Sequence, residues 1–253
     1  MDRIKTYVIN LLKDQNRRES ILRETSQFSI LDVEIVEGVY GKGLTDQERE
    51  GLFDSKKFSL YYGRSVLPGE VGGTLSHRKC YEYLLGSENS FALILEDDAH
   101  FLSDFFENDF WTAVEDVMNS EKPLILLLQA NANYIGKSKF FCKDYKLYPV
   151  YKSVCATGYL VNKNAARLLL HKKKPYWVAD DWFRFRKWGI AFYCVYPSVI
   201  LQWETLPSTI LEKKRSGRKK RWFPHSLIEC RLAYEKIIFI ILKELKIIKY
   251  IHG

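Results

Sequence analysis

Three consecutive carboxylates, Glu96-Asp97-Asp98, follow directly on the apolar run Phe91 to Leu95. A buried strand that ends on acids delivers them to the edge where open α/β sheets bind ligands. Side chains alternate along an extended chain, so Glu96 and Asp98 are predicted to face one side and Asp97 the other. Two hard oxygen ligands on one face suit Mg²⁺ or Mn²⁺, which can then bridge to substrate phosphates. A solvated strand end that caps the next helix would use the same residues. A second acidic pair, Asp180-Asp181, lies between Trp177 and Trp182. Carboxylates among aromatics can titrate upward and take a proton. A helix N-terminus also favours Asp. Asp181 is the first choice for a general base and Asp180 the second. His77, in Ser76-His77-Arg78, suits either packing or chemistry. Arg17-Arg18 suits either phosphate or solvent.

The elements that must position these groups can be read from the pattern. Thr6 to Leu11 is predicted as a buried strand, and Asp14 can cap a helix running to about Thr25. Val33 to Val36 gives a second strand. Residues 38–67 read as loop with one short helix. Pro68 opens a helix through about Leu85, in which Gly72 and Gly73 allow close approach on one side. Strands at Phe91 to Leu95 and Leu124 to Leu128 flank a helix over 104–118, and 129–150 reads as loop. Gly158 to Val161 is a short strand, Asn162 caps a helix to about His171, and Ile190 to Val195 is a further strand. Apolar runs alternate with helical patterns over residues 1–130, which indicates a mostly parallel α/β sheet.

The charge is unevenly placed. The chain has 253 residues and a net charge of +8. Residues 213–253 hold 12 Lys/Arg and 3 Asp/Glu, whereas 1–212 hold 27 and 28. A near-neutral body argues against a nucleic-acid surface, which needs a basic stripe on the fold itself. The division predicts a single domain over 1–212 and a basic amphipathic appendage over 213–253. Seven of the nine residues from Lys213 to Arg221 are basic. After Pro224, the residues Leu227, Ile228, Ile238, Ile241, Leu242, Leu245 and Ile248 can form one apolar helical face. Lys236, Lys243, Lys246 and Lys249 can snorkel beside it. Such a helix lies in an anionic membrane interface rather than crossing it. The alternative is a helix packed on the body. Five scattered cysteines without a CxxC pair, and an N-terminus that runs straight into a strand, predict reduced thiols and a cytoplasmic protein.

Taken in order, these pieces resemble family-25 glycosyltransferases of the lipooligosaccharide galactosyltransferase type. Tyr7-Val8-Ile9-Asn10-Leu11 with Arg17-Arg18 looks like that family's opening strand and donor-side arginines. Glu70-Val71-Gly72-Gly73-Thr74-Leu75-Ser76-His77 looks like its Gly-x-x-x-Ser-His helix, and Leu95-Glu96-Asp97-Asp98 is similar to its acidic metal motif. Thr157-Gly158-Tyr159-Leu160-Val161 with Ala165-Ala166 looks like its Gly-Tyr strand and following helix. Asp180-Asp181 matches its late acidic motif, in the form Val178-Ala179-Asp180-Asp181 where the family commonly has Pro-Val-Asp. Gln202 and Ser208-Thr209-Ile210 fall where the family's catalytic domain ends.

The resemblance covers about residues 4–211. It implies a GT-A-like single Rossmann-type domain and an inverting transfer of a hexose, galactose first, from a UDP-sugar to a lipooligosaccharide or lipopolysaccharide acceptor. The implied donor-binding residues are Asn10, Arg17, Arg18, Ser76, His77, Glu96 and Asp97, and the metal ligands are Glu96 and Asp98. A lipid-linked acceptor would place the protein on the cytoplasmic face of the inner membrane. Two other classes use clustered carboxylates: a metal-dependent phosphoryl hydrolase or nuclease, and a non-catalytic sugar-nucleotide-binding module. Five histidines without metal spacing speak against the first.

Overall fold

The computed structural model describes residues 3–102, 108–203 and 227–252. The chain opens with β1 (Ile4–Asn10), α1 (Gln15–Ser26) and β2 (Leu31–Glu37), followed by α2 (Asp46–Leu52), α3 (Ser55–Tyr62) and α4 (Pro68–Gly86). Next come β3 (Phe91–Glu96), β4 (Ala99–Phe101), α5 (Asn108–Met118), β5 (Leu124–Leu127), β6 (Asn131–Ile135), β7 (Lys139–Cys142) and β8 (Tyr145–Ser153). The rest is β9 (Gly158–Asn162), α6 (Lys163–Leu170), α7 (Trp182–Lys187), β10 (Ala191–Tyr196), β11 (Ile200–Gln202), α8 (Leu227–Glu244) and β12 (Ile248–His252).

One large sheet organises the molecule in the order β12-β6-β8-β10-β5-β9-β3-β1-β2, with β7 also paired to β8. β1 is parallel to both β2 and β3, and β5 is parallel to β10. β9 runs antiparallel between β3 and β5, so β2, β1, β3, β5 and β10 all point one way. This is the expected α/β domain with a mostly parallel half. Beyond β10 the strands β8, β6 and β12 alternate in direction. A sheet covered on both faces needs strands apolar on both sides, and β3 fits: Ala92 and Ile94 pack into one core while Leu93 and Leu95 pack into the other. Helices α4 and α6 cover the first face through Tyr81, Leu84, Ala165 and Leu169. On the second face α1 contributes Ile21, and α5 contributes Phe110, Trp111 and Val114.

The structure departs from the sequence expectations in three places. Residues 129–150 are not loop but β6, β7 and the start of β8. Within 38–67 there are two α-helices rather than one. The first starts at a capping box in which Thr45 and Glu48 bond reciprocally, and the second is capped by the Asp54 side chain. The C-terminal helix ends at Glu244. Lys246 adopts a left-handed φ of 55°, and the amides of Lys246 and Ile247 reach back to Lys243 O and Leu242 O. That Schellman stop turns the chain, and Ile248, expected on the helix, instead begins β12, which pairs antiparallel with β6. The C-terminal segment thus joins the sheet of the 1–212 body. The basic run Lys213 to Arg221, the 212/213 boundary and Ser208-Thr209-Ile210 lie outside the described residues.

Candidate functional site

A cleft opens at the C-terminal ends of β1 and β3. Its floor is the carboxylate edge, one wall is α1, and the other is α4 with the segment 39–42. That wall depends on two glycines. A Cβ on Gly72 would collide with Val39 O, and one on Gly41 would collide with Pro68 O. Ser76 fastens the same contact, accepting from Val39 N (2.8 Å) and donating to Gly72 O (2.7 Å). Ser76 therefore lines the cleft chiefly as a strut.

β3 ends at Glu96, and Asp97-Asp98 form a turn. Strand alternation stops there, which corrects the expectation that Asp97 points away. Arg17 Nη2 from α1 lies 2.6 Å from Asp97 Oδ1 and 2.8 Å from Asp98 Oδ2, so the two carboxylates converge on one guanidinium. Asn10, at the end of β1, donates to Asp97 Oδ2 at 2.8 Å. Asp97 thus has both oxygens engaged by protein. Burial pushes its carboxyl up to about 6 against the opposing pull of Arg17 and Asn10. Gln202 Nε2, from β11, donates to Asp98 Oδ2 at 3.0 Å. Arg18 does not line the cleft, in contrast to Arg17.

The remaining oxygens are the informative ones. Asp98 Oδ1 is buried with no hydrogen-bond partner among the described residues. Asp98's pKa is raised, first by burial and next by the charge of Glu96. A buried carboxylate oxygen without a partner is costly, and beyond Arg17 on Asp98 Oδ2 a further cation would compensate both groups. Two carboxylates with an oxygen to spare fit a hard divalent ion such as Mg²⁺ or Mn²⁺. Among the described residues no group of three or more His, Cys, Asp or Glu could hold a metal alone. Such an ion would complete its shell with substrate phosphate and water, as Mg²⁺ sites commonly do.

His77 is buried and bridges two elements. Its Nε2 lies 3.2 Å from Glu96 Oε1 and its Nδ1 lies 2.8 Å from Tyr159 OH. Tyr159 in turn meets Tyr81 OH at 2.7 Å. With Glu96 ionised, Nε2 must donate. Nδ1 of a neutral ring then accepts from Tyr159, whose oxygen accepts from Tyr81. The chain Tyr81–Tyr159–His77 therefore orients Glu96 towards the cleft. The Gly-Tyr motif foreshadowed Tyr159, but nothing local in the sequence pointed to its partner on α4.

The late acidic pair divides its work. Asp181 is the N-cap of α7, where its Oδ1 accepts from Arg184 N. Its Oδ2 receives Tyr62 OH and sits 3.2 Å from buried Arg184 Nε. Asp181 is thereby committed to structure. Asp180 Oδ2 accepts from Cys155 N at 3.0 Å, and its pKa is raised, first by burial and also by Glu96. Cys155 holds a left-handed φ of 81°, and its Sγ reaches Thr157 Oγ1 (2.7 Å) and Gln202 Oε1 (3.9 Å). Asp180 is so linked through Cys155 and Gln202 to Asp98. Cys155 and Tyr62 carried no motif that could have singled them out.

Residues 3–183 match the model of glycosyltransferase family 25, described as LPS biosynthesis protein. The chain is 26% identical over 177 residues to procollagen galactosyltransferase 1 of Danio rerio, covering 66% of this chain and 28% of that protein. It is 30% identical over 187 residues to a Haemophilus influenzae protein provisionally named a glycosyltransferase, covering 69% of this chain and 60% of that one. The chain therefore spans less than two thirds of either relative. Among solved structures, a UTP-bound UGPase from Acinetobacter baumannii aligns with 77% of this chain and 86% of its own at 12% identity, with a TM-score of 0.40.

Proposed function

Because the chain belongs to glycosyltransferase family 25, we propose that it moves galactose from UDP-galactose, with inversion, to a hydroxyl of a lipooligosaccharide or lipopolysaccharide acceptor at the cytoplasmic face of the inner membrane. One observation carries the donor assignment: Asn10 and Arg17 tie down Asp97, which leaves Glu96 and Asp98, with its buried and unpartnered Oδ1, as the further carboxylates lining the cleft. The galactosyl reading leans on relatives named procollagen galactosyltransferases, and the acceptor on the family's description.

In this reading the acceptor oxygen attacks the anomeric carbon as the bond from that carbon to the diphosphate breaks, and UDP departs. Asp180 takes the proton from the attacking hydroxyl, because Asp181 is occupied by α7, Tyr62 and Arg184. A raised carboxyl pKa brings a base nearer to the operating pH, which favours proton transfer. Glu96 and Asp98 would hold a Mn²⁺ or Mg²⁺ ion, whose charge neutralises the departing diphosphate. Arg17 holds Asp97 and Asp98 together and brings positive charge to the same edge. His77 fixes the rotamer of Glu96.

A donor screen tests the proposal. The full-length protein, purified lipooligosaccharide and Mn²⁺ are combined with one UDP-sugar at a time, and UDP release is measured. UDP-galactose should give acceptor-dependent release and a product of inverted anomeric configuration by NMR. Release that prefers another sugar would reassign the donor. Phosphate or nucleoside release without sugar transfer would favour the hydrolase class.

A further inference from the structure

Helix α8 has two apolar faces, and only one is covered. Its inward face is fixed at successive turns. The Arg231 guanidinium stacks 3.7 Å above the Tyr61 ring, Glu235 pairs with Lys187 Nζ at 2.7 Å, and Phe239 stacks on Tyr151 at 6.1 Å between centroids. The spacing 231, 235, 239 marks one side of the helix. Ile238 and Leu242 lie on that side and are partly buried, and Ile248 is buried in β12. The apolar face expected from the sequence is therefore mostly turned onto the body.

The outward side presents Ile241 and Leu245 of that expected face, together with Tyr234 and Ile237. Tyr234 is 64% exposed, Ile237 55%, Ile241 48% and Leu245 63%. These positions recur at helical spacing, and Ile240 and Tyr250 are also exposed. A helix that is apolar all round calls for a second covering surface. Lys236, Lys243, Lys246 and Lys249 are exposed around it, and none forms an ion pair among the described residues.

We propose that the outward face of α8, with the adjoining end of β12, docks on an anionic lipid bilayer. The proposal stands apart from the sugar-transfer reading. The charge decides the occupant. Apolar side chains on a helix with exposed lysines that form no ion pair among the described residues, and Glu244 as the exposed acid of its last turn, complement a surface that is oily beneath an anionic headgroup layer. A second copy of the chain would bring the same lysines and the same net charge of +8 against this patch. Tyr234 suits a boundary where the ring is buried and the hydroxyl is wet. Ile237, Ile240, Ile241 and Leu245 would enter the acyl boundary, with Lys236 and Lys243 reaching the headgroups.

The test is flotation of the full-length protein with vesicles of phosphatidylethanolamine and phosphatidylglycerol, beside vesicles of phosphatidylcholine alone. The protein should float with the anionic vesicles and less so in high salt. Ile237→Asp/Ile241→Asp should lower the bound fraction at least tenfold, with the thermal melt and UDP release from UDP-galactose in vesicle-free buffer unchanged. Ile238→Ser/Leu242→Ser, on the inward side, should lower the melting temperature instead. Should the outward double variant fail to fold, Lys236→Gln/Lys243→Gln must still weaken anionic binding. Undiminished flotation of the folded outward variant overturns the proposal, as does absence of binding by the wild type. A dimer in the wild type that the outward variant abolishes would also overturn it, in favour of self-association. Absence of UDP release by the wild type, with its flotation and the variant's loss of flotation as expected, would instead count against the transferase reading alone.

Discussion

At the residue scale, neighbouring acids of identical type are given different tasks by their partners. Asp181 is held by the start of α7, by Tyr62 and by Arg184, whereas Asp180 accepts one backbone amide. Asp180→Asn should therefore lower kcat by at least ~10²-fold with donor affinity retained, the size expected for a lost general base. Steady-state kinetics beside calorimetry would show it. Asp181→Ala should act on the fold, removing a cap and leaving buried Arg184 without its carboxylate, at roughly 2–4 kcal/mol. A denaturant melt reads that loss. Asp97, pushed up to about 6 by burial, contributes to the acid side of the pH profile together with Asp98 and Asp180, whose carboxyls burial also raises. Below that value it takes a proton and its attraction for Arg17 fades. Measured kcat/KM should then fall as pH drops through about 6.

At the element scale, the cleft depends on α4 meeting the segment 39–43 with nothing between. Gly72→Ala pushes a methyl into Val39 O, so the segment must move away. The expected result is a raised donor KM with a smaller change in kcat. The strands and helices that carry the carboxylate edge were legible because each had a strong local pattern: an apolar run ending on acids, Pro68 at a helix start, and Asn162 as a cap whose side chain accepts from Ala165 N. The missed strands were not, because Pro149 interrupts the alternation of Tyr145 to Ser153 and its ladder partner, Tyr193, lies far along the chain. The stop at Lys246 was hidden because a lysine occupies a left-handed position usually taken by glycine. The convergence of Asp97 and Asp98 on Arg17 was equally unreadable, since a turn replaces the strand at that residue and the guanidinium arrives from another element.

At the scale of the whole molecule, the C-terminal segment both completes the fold and presents a surface. β12 covers the outer edge of β6, through five paired positions from Ile248 to His252. An uncovered edge strand invites pairing with another chain. A chain ending at Glu244 should thus keep α8 yet aggregate or melt at lower temperature, as light scattering on heating would record. The sequence division into a neutral body and a basic appendage describes charge, and the sheet joins the two. The claim on which the rest hangs is that Glu96 and Asp98 form a cation-dependent donor site. It is tested most directly by titrating UDP-galactose into wild type and Asp98→Asn, with and without Mn²⁺, by calorimetry. The account predicts that Mn²⁺ tightens binding to the wild type at least tenfold and leaves the variant unaffected. Equal enhancement of both proteins would contradict it.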